Sequence, residues 1–259
     1  MSFQALVLAG SRGGVDPVAE YAGVSHKGLI VLGGKTLLAR VLGALDQAGA
    51  TRIGVSTSDI AVVEALESPP LQGGATTNPL PAAGGPSQSV HDGASLMGTP
   101  LLVTTVDHAL LQSEWITEFI ANAPADCDFA VLMATEAVVR AAAPETKRTY
   151  WRFKDGGYSG CNLFLLKNER ALNAVAFWRK AESFRKQPWK IAAMLGPVML
   201  IRYALGLMTL DETLERLGDA AGVKAAVVRS SYGLAAVDVD KPADLDLVRS
   251  LVEHSPPPR

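Results

Sequence analysis

The sequence predicts an α/β protein built on a largely parallel sheet. Three observations predict it: short apolar runs alternate with amphipathic segments through the first half of the chain, the first run is closed by a glycine-rich loop, and an aspartate directly follows a later run. Strands alternating with helices imply βαβ units, whose ligands bind beyond the carboxyl ends of the strands.

Taken in order, Ala5-Leu6-Val7-Leu8 is a buried strand feeding the loop Ala9-Gly10-Ser11-Arg12-Gly13-Gly14. Leu37, Leu38, Val41, Leu42 and Leu45 recur at helical spacing across Thr36 to Ala48, and Gly49 stops that helix. Arg52 to Ser56 is the second strand and Ile60 to Leu66 a helix. The Pro/Gly-rich stretch Ser68 to Pro86 is a loop with a weak strand inside it; Gln88 to Met97 is a helix and Leu101 to Val106 a third clear strand. Trp115 to Ala123 is helical and Asp128 to Ala134 is β. The rhythm then changes: Thr149 to Phe153 and Gly160 to Leu166 form a hairpin about Lys154-Asp155-Gly156-Gly157. Ala171 to Leu217 is helical in pattern, broken near Pro188 and Pro197 and restarted near Asp211, with Thr209 or Asp211 as cap. Lys224 to Val228 and Leu234 to Val237 return to β, Pro242 opens a last helix to Val252, and the tail from Ser255 is frayed. Without a repeat or low-complexity linker, residues 1–259 read as one domain, with 145–222 as an inserted region of hairpin and helices facing the substrate.

Composition excludes several classes. An apolar share of 48% over 259 residues supplies a core and rules out disorder. Lys+Arg 24 against Asp+Glu 26 leaves a net charge of -2, so no basic field exists to hold nucleic acid. Cys127 and Cys161 lack the spacing of a zinc site or disulfide framework, so both are expected as reduced thiols in a cytoplasmic protein. Met1 to Gln4 lead into the first strand with no basic region before them, unlike a signal peptide. The mean hydropathy is +0.18, yet the most apolar segment, Ala192 to Met208, is broken by Gly196, Pro197 and Arg202 and is too short to span a bilayer.

Glycines after a strand let backbone N–H groups close on an anion, and Arg12 with Lys27 adds positive charge for a polyphosphate. The loop matches neither G-x-G-x-x-G nor the P-loop, so a turn followed by a solvated lysine is the alternative. Asp107 stands at the carboxyl end of a strand, where its carboxylate suits Mg²⁺ or caps the next helix. Successive residues of an extended chain point apart, so His108 is expected to be structural. Asp238 and Asp240 stand with period two on a strand and so share one face, and Asp240 reads either as a second ligand or as the cap of the helix opened by Pro242. Asp244 suits that helix's first turn.

Together, Leu8 to Arg12, Lys27 to Leu38, Val106 to Leu111 and Asp238 to Leu245 occur in the order of one superfamily. The chain resembles the MobA-like nucleotidyltransferases, which include molybdenum-cofactor cytidylyl- and guanylyltransferases and sugar-phosphate or methylerythritol-phosphate cytidylyltransferases. The resemblance implies a Rossmann-like three-layer sandwich with a mostly parallel mixed sheet, of the nucleotide-diphospho-sugar transferase kind. It implies transfer of an NMP from an NTP, CTP or GTP, to a small phosphorylated acceptor, with release of pyrophosphate and with Mg²⁺ or Mn²⁺ as cofactor. By position, Leu8, Ala9, Gly10, Ser11 and Arg12 would hold base and phosphates, Lys27 would neutralise the α-phosphate, and Asp107 with Asp240 would bracket the metal. Gly85 and Ser87 fall in the segment that reads base and ribose, although Pro86 stands where cytidylyltransferases often carry Arg. Asn162 is similar to an acceptor contact; Lys147 and Arg148 read as a solvated pair or as partners of an anionic acceptor. The stretch from Val15 to His26 is an insertion before Lys27, and Gly33-Gly34 has no assigned role.

Two other functions compete: a glycosyltransferase of similar fold, disfavoured because Asp107-His108-Ala109 is not Asp-x-Asp, and a non-catalytic nucleotide-binding module. Finally, Arg179, Lys180, Arg185, Lys186 and Lys190 precede the apolar stretch Ile191 to Met208. That order suits a membrane or a lipid-linked acceptor, whereas a solvated basic face over an apolar stretch packed under the sheet suits a soluble acceptor, the reading preferred here.

Overall fold

Side-chain alternation along one strand, β1 (Phe3–Leu8), organises the molecule. A computed structural model of the chain describes residues 2–11, 13–67, 71–184, 190 and 196–253. Ala5 and Val7 point into a core shared with α2 (Leu37–Gln47), α5 (Ser113–Asn122) and α10 (Pro242–Glu253), while Leu6 points into a second core with α4 (Pro86–Met97) and α7 (Ala171–Ser183). A strand buried on both faces reads as a continuous apolar run, which is why it was legible. The result is a sheet between two helical layers.

The sheet has eight strands in the order β10 (Ala225–Ser230), β7 (Phe129–Thr135), β9 (Gly156–Leu166), β6 (Leu101–Thr105), β1, β4 (Ala50–Thr57) and β5 (Thr76–Pro81), with β8 (Trp151–Phe153) paired to β9. Strand β9 runs antiparallel to β6, β7 and β8, and the other described pairings in this sheet are parallel. Opposite Leu132, β9 carries extra residues: Val131 faces Phe164, but Met133 faces Gly160. Asn162 lies in that bulge with φ 50, the one positive φ outside glycine among the described residues.

Several expectations need correction. The insertion before Lys27 holds α1 (Pro17–Ala22), capped by Asp16, whose carboxylate accepts from the N–H groups of Val18 and Ala19. The equally short α3 (Ile60–Ala65) forms where it is expected, within Ile60 to Leu66. Gly33 and Gly34, at φ 56 and 78, turn a two-stranded hairpin of β2 (Val31–Leu32) and β3 (Lys35–Thr36). Positive φ at both central positions is the requirement of a type I′ turn. Thr135 caps an unexpected helix, α6 (Glu136–Ala142). The apolar run Leu234 to Val237 is not a strand; Gly233–Ala236 forms a 3₁₀ turn buried against α6.

The helical second half divides at Pro197 as expected. After α7 come α8 (Pro197–Ala204) and α9 (Leu210–Ala221); Thr209 is the cap of α9, in a reciprocal box with Glu212. The breaks near Pro188 and the basic residues Arg185 and Lys186 lie outside the described residues. The apolar stretch does not pack under the sheet where it is described. Val198 is 69% exposed, Ile201 59% and Leu205 67%, and among the described residues of the stretch Met208 is the one large apolar residue that is fully buried. The Tyr203 ring of α8 meets Phe153 edge-on at 5.7 Å. Among the described residues no helix is long and apolar enough to cross a membrane.

Candidate active site

Strand β1 pairs with β4 on one side and β6 on the other, so the connections diverge at β1/β6 and leave a crevice beyond their carboxyl ends. The glycine loop leaves β1 on one lip; Asp107 follows β6 on the other. The lips are tied below the crevice, where Val106 N–H donates to Leu8 O at 3.0 Å and Ala9 N–H to Ser56 O at 2.9 Å. Gly10 and Ser11 remain exposed at the lip, Ala9 is buried and Leu8 half-buried. Arg12 lies outside the described residues.

Lys27 reaches the crevice through a 3₁₀ turn, Lys27–Leu29, whose start is held by His26: its ring Nδ1 accepts from Gly28 N–H at 3.0 Å. A Cβ on Gly28 would stand 2.9 Å from Val106 Cγ2, so glycine lets this turn press onto the end of β6. The Lys27 ammonium consequently lies 2.5 Å from Asp107 Oδ2 and 3.9 Å from Asp240 Oδ1. Thr105 Oγ1 donates to the other oxygen of Asp107. Val239 N–H donates to Asp107 O at 3.1 Å, which brings the C-terminal segment carrying Asp240 to this lip.

The electrostatics follow from this crowding. Burial alone would lower the Lys27 ammonium, but Asp107 and then Asp240 outweigh it and hold its pKa above the ordinary lysine value. Burial raises the Asp240 carboxyl, and the nearby charges of Asp238 and Asp107 push it further. Asp107 and Asp240 are two hard oxygen donors on one lip, and Asp240 feels the charge of Asp107, so the pair fits Mg²⁺ or Mn²⁺. Among the described residues no group of three or more His, Cys, Asp or Glu could hold a metal, so nucleotide phosphates and water would complete its shell. Asp240 is not occupied as a helix cap: the N–H groups of Asp240 and Lys241 donate to Asp244 Oδ2 at 3.2 and 2.9 Å, leaving the Asp240 carboxylate to face Lys27. His108 is buried beside Trp115, with burial pulling its pKa down to about 4, in keeping with a structural role.

The remaining expected residues fall in two groups. Gly85 precedes α4 and Ser87 is buried in its first turn, where its hydroxyl donates to Glu182 of α7. This segment flanks the glycine loop, because a Cβ on Gly10 would meet Ala82 at 3.4 Å. Arg148 and Asn162 converge on Asp238, and Lys147 stays exposed. Reasoning from sequence missed Thr105, which bonds Asp107 from two residues away, and also Glu182 and the role of Asp238 as a partner, whose long-range pairing carries no local pattern.

Residues 5–152, more than half of the chain, match the MobA-like NTP transferase domain. The chain belongs to this family. It is a nucleotidyltransferase, and among solved structures it is similar over 95% of its length to a hypothetical transferase from Thermus thermophilus, with 30% identity, all of that chain covered and a TM-score of 0.77. The fold is shared at lower identity. A 2-C-methyl-D-erythritol 4-phosphate cytidylyltransferase, also from Thermus thermophilus, gives 17% identity and a TM-score of 0.52, covering 98% of this chain and 100% of that one. A putative glucose-1-phosphate thymidylyltransferase from Bacillus anthracis gives 15% and 0.58, covering 99% and 97%. Comparison with the curated proteins gave no match. The nucleotidyltransferase fold accounts for the crevice, with glycine loop, lysine and paired aspartates on its lips.

Proposed function

We propose that this nucleotidyltransferase moves an NMP from an NTP, CTP or GTP, to a small phosphorylated acceptor and releases pyrophosphate. The observation that carries the reading is the Lys27 ammonium set between Asp107 and Asp240 at the mouth of the β1/β6 crevice, across from the glycine loop. An oxygen of the acceptor's phosphate attacks the α-phosphorus, and the bond to the bridging oxygen breaks, that oxygen leaving with pyrophosphate. Such transfers need positioning and charge neutralisation more than a protein nucleophile. Leu8 to Arg12 with Gly85 and Ser87 hold base, ribose and phosphates; Lys27 meets negative charge building on the α-phosphate; Lys147, Arg148 and Asn162 line the acceptor's side. Mg²⁺, held by Asp107 and Asp240, supplies neutralisation of the phosphate charge when bound.

Pyrophosphate release across the four NTPs, with phosphorylated alcohols and sugars as acceptors, tests the reading. Asp107→Ala and Asp240→Ala should each abolish turnover in a folded protein. A variant that keeps near-normal Mg²⁺-dependent activity removes that residue from the site.

One observation favours a second acceptor class. The exposed apolar face of α8, with Arg202 on the same helix, suits a phosphate head that carries an apolar tail. At about 0.15 M salt, where exposed charges beyond about 8 Å are screened, sedimentation with anionic liposomes that is lost in Ile201→Glu would favour it. A protein that stays in the supernatant leaves the small soluble acceptor.

A further inference from the structure

Asp238 is buried and holds two residues distant from it in sequence, Arg148 and Asn162. We infer that it is the positioning residue of the active site, fixing the segment 237–241 so that Asp240 faces Lys27 and Asp107. The inference rests on the function proposed above and adds to it a residue with no direct contact to the nucleotide.

Asp240 has little of its own to hold it, being 57% exposed and meeting Lys27 only at 3.9 Å. The segment before α10 pairs with no strand, and its backbone tie to the β6 lip is the Val239 N–H bond to Asp107 O. Two anchors remain. Val237 and Val239 are buried below, which turns Asp238 and Asp240 to the opposite side. Asp238 is itself buried and is clamped laterally: Arg148 binds both of its oxygens, with Nη2 to Oδ2 at 2.9 Å, and Asn162 Nδ2 donates to Oδ2 at 2.7 Å. A bidentate, charge-assisted pair fixes direction as well as distance.

The chain accepts backbone strain to complete this clamp. Strand β9 bulges opposite Leu132 and sets Asn162 at φ 50, a conformation that costs a non-glycine residue free energy and that asparagine tolerates better than most. The bulge aims the Asn162 amide at Asp238. Arg148, just before the β8–β9 hairpin, closes the clamp from the other side. Two residues of the β8–β9 region, 76 and 90 positions away in sequence, therefore meet on one carboxylate two residues from Asp240.

Partners that orient a metal ligand typically change metal affinity by about 10- to 100-fold when removed. In Asp238→Asn one oxygen becomes an amide that faces a guanidinium, donor against donor, so the clamp opens while the volume is kept. Mn²⁺ binding, read by electron paramagnetic resonance with CTP or GTP present, should weaken about tenfold, and Arg148→Met should give a similar loss. The double variant should be no worse than either single one, because both act through one contact. Circular dichroism and a thermal melt establish folding. Wild-type Mn²⁺ affinity in folded Asp238→Asn, or losses that add in the double variant, would overturn the inference. If Asp238→Asn does not fold, Asn162→Gly keeps the backbone and removes one donor: weaker Mn²⁺ binding supports the role, and unchanged binding overturns it. Absence of pyrophosphate release by the wild-type protein with every NTP would sink the proposed reaction instead, while Mn²⁺ binding still reports on Asp238.

Discussion

At the scale of single residues, the Lys27 ammonium does what a metal would do: it satisfies Asp107 and approaches Asp240. Removing it has two opposite consequences. Lys27→Ala loses a charge matched to the transition state, so kcat should fall by on the order of 10²-fold or more, as when one preorganised donor is lost. A rise in KM with kcat unchanged would instead assign Lys27 to uniform binding of the nucleotide. The same variant leaves two carboxylates facing each other without a cation, so Mn²⁺ should bind more tightly in the absence of nucleotide. Weaker binding would show that Lys27 supports the metal site rather than competing for it. Residue type and position pointed to Lys27, Asp107 and Asp240, which the structure brings together; Glu182 was not legible, because its contact with Ser87 exists only once α4 and α7 have packed.

Elements are joined by a few polar residues whose loss should be felt as stability. The buried Asp128, just before β7, accepts from the backbone N–H of Lys224 before β10 at 2.8 Å and from Asn168 after β9 at 2.8 Å. Those bonds hold its carboxyl below the ordinary 3.8. A depressed carboxyl contributes stability that is complete above 3.8 and lost as pH falls through its lower folded value. Asp128→Ala should therefore cost about 2–4 kcal/mol at neutral pH, with a shallower loss of stability toward acid than in the wild type. Equal slopes in acid would exclude this linkage. Gly233 tests a different junction: an added Cβ would run into the Val138 carbonyl of α6 and stand 2.8 Å from Ala142 Cβ. Gly233→Ala should destabilise by about 1–3 kcal/mol in urea unfolding. An unchanged midpoint would mean that the 233–236 turn is free to shift.

For the whole molecule, the crevice lies between loops that leave the central strands, so nucleotide contacts are expected to exist only in the folded state. At 100 times its Kd, the preferred NTP with Mg²⁺ should add about 2.7 kcal/mol and raise the Tm by about 5–10 °C. No shift with any of the four NTPs would count against a nucleotide site. Sequence alone determined the α/β class, the buried strands and the order of the glycine loop, Lys27, Asp107 and Asp240, because burial on both sheet faces writes continuous apolar runs and strand ends are marked by glycine and aspartate. The short elements α1, the β2–β3 hairpin and α6 are set by local capping and turn geometry, which the structure revealed. Tertiary structure alone decided that Arg148 and Asn162 meet Asp238, that Asp244 relieves Asp240 of capping, and that α8 lies with its apolar face outward. Each depends on which distant residue fills the space beside a given side chain, and a linear pattern carries no record of that neighbour.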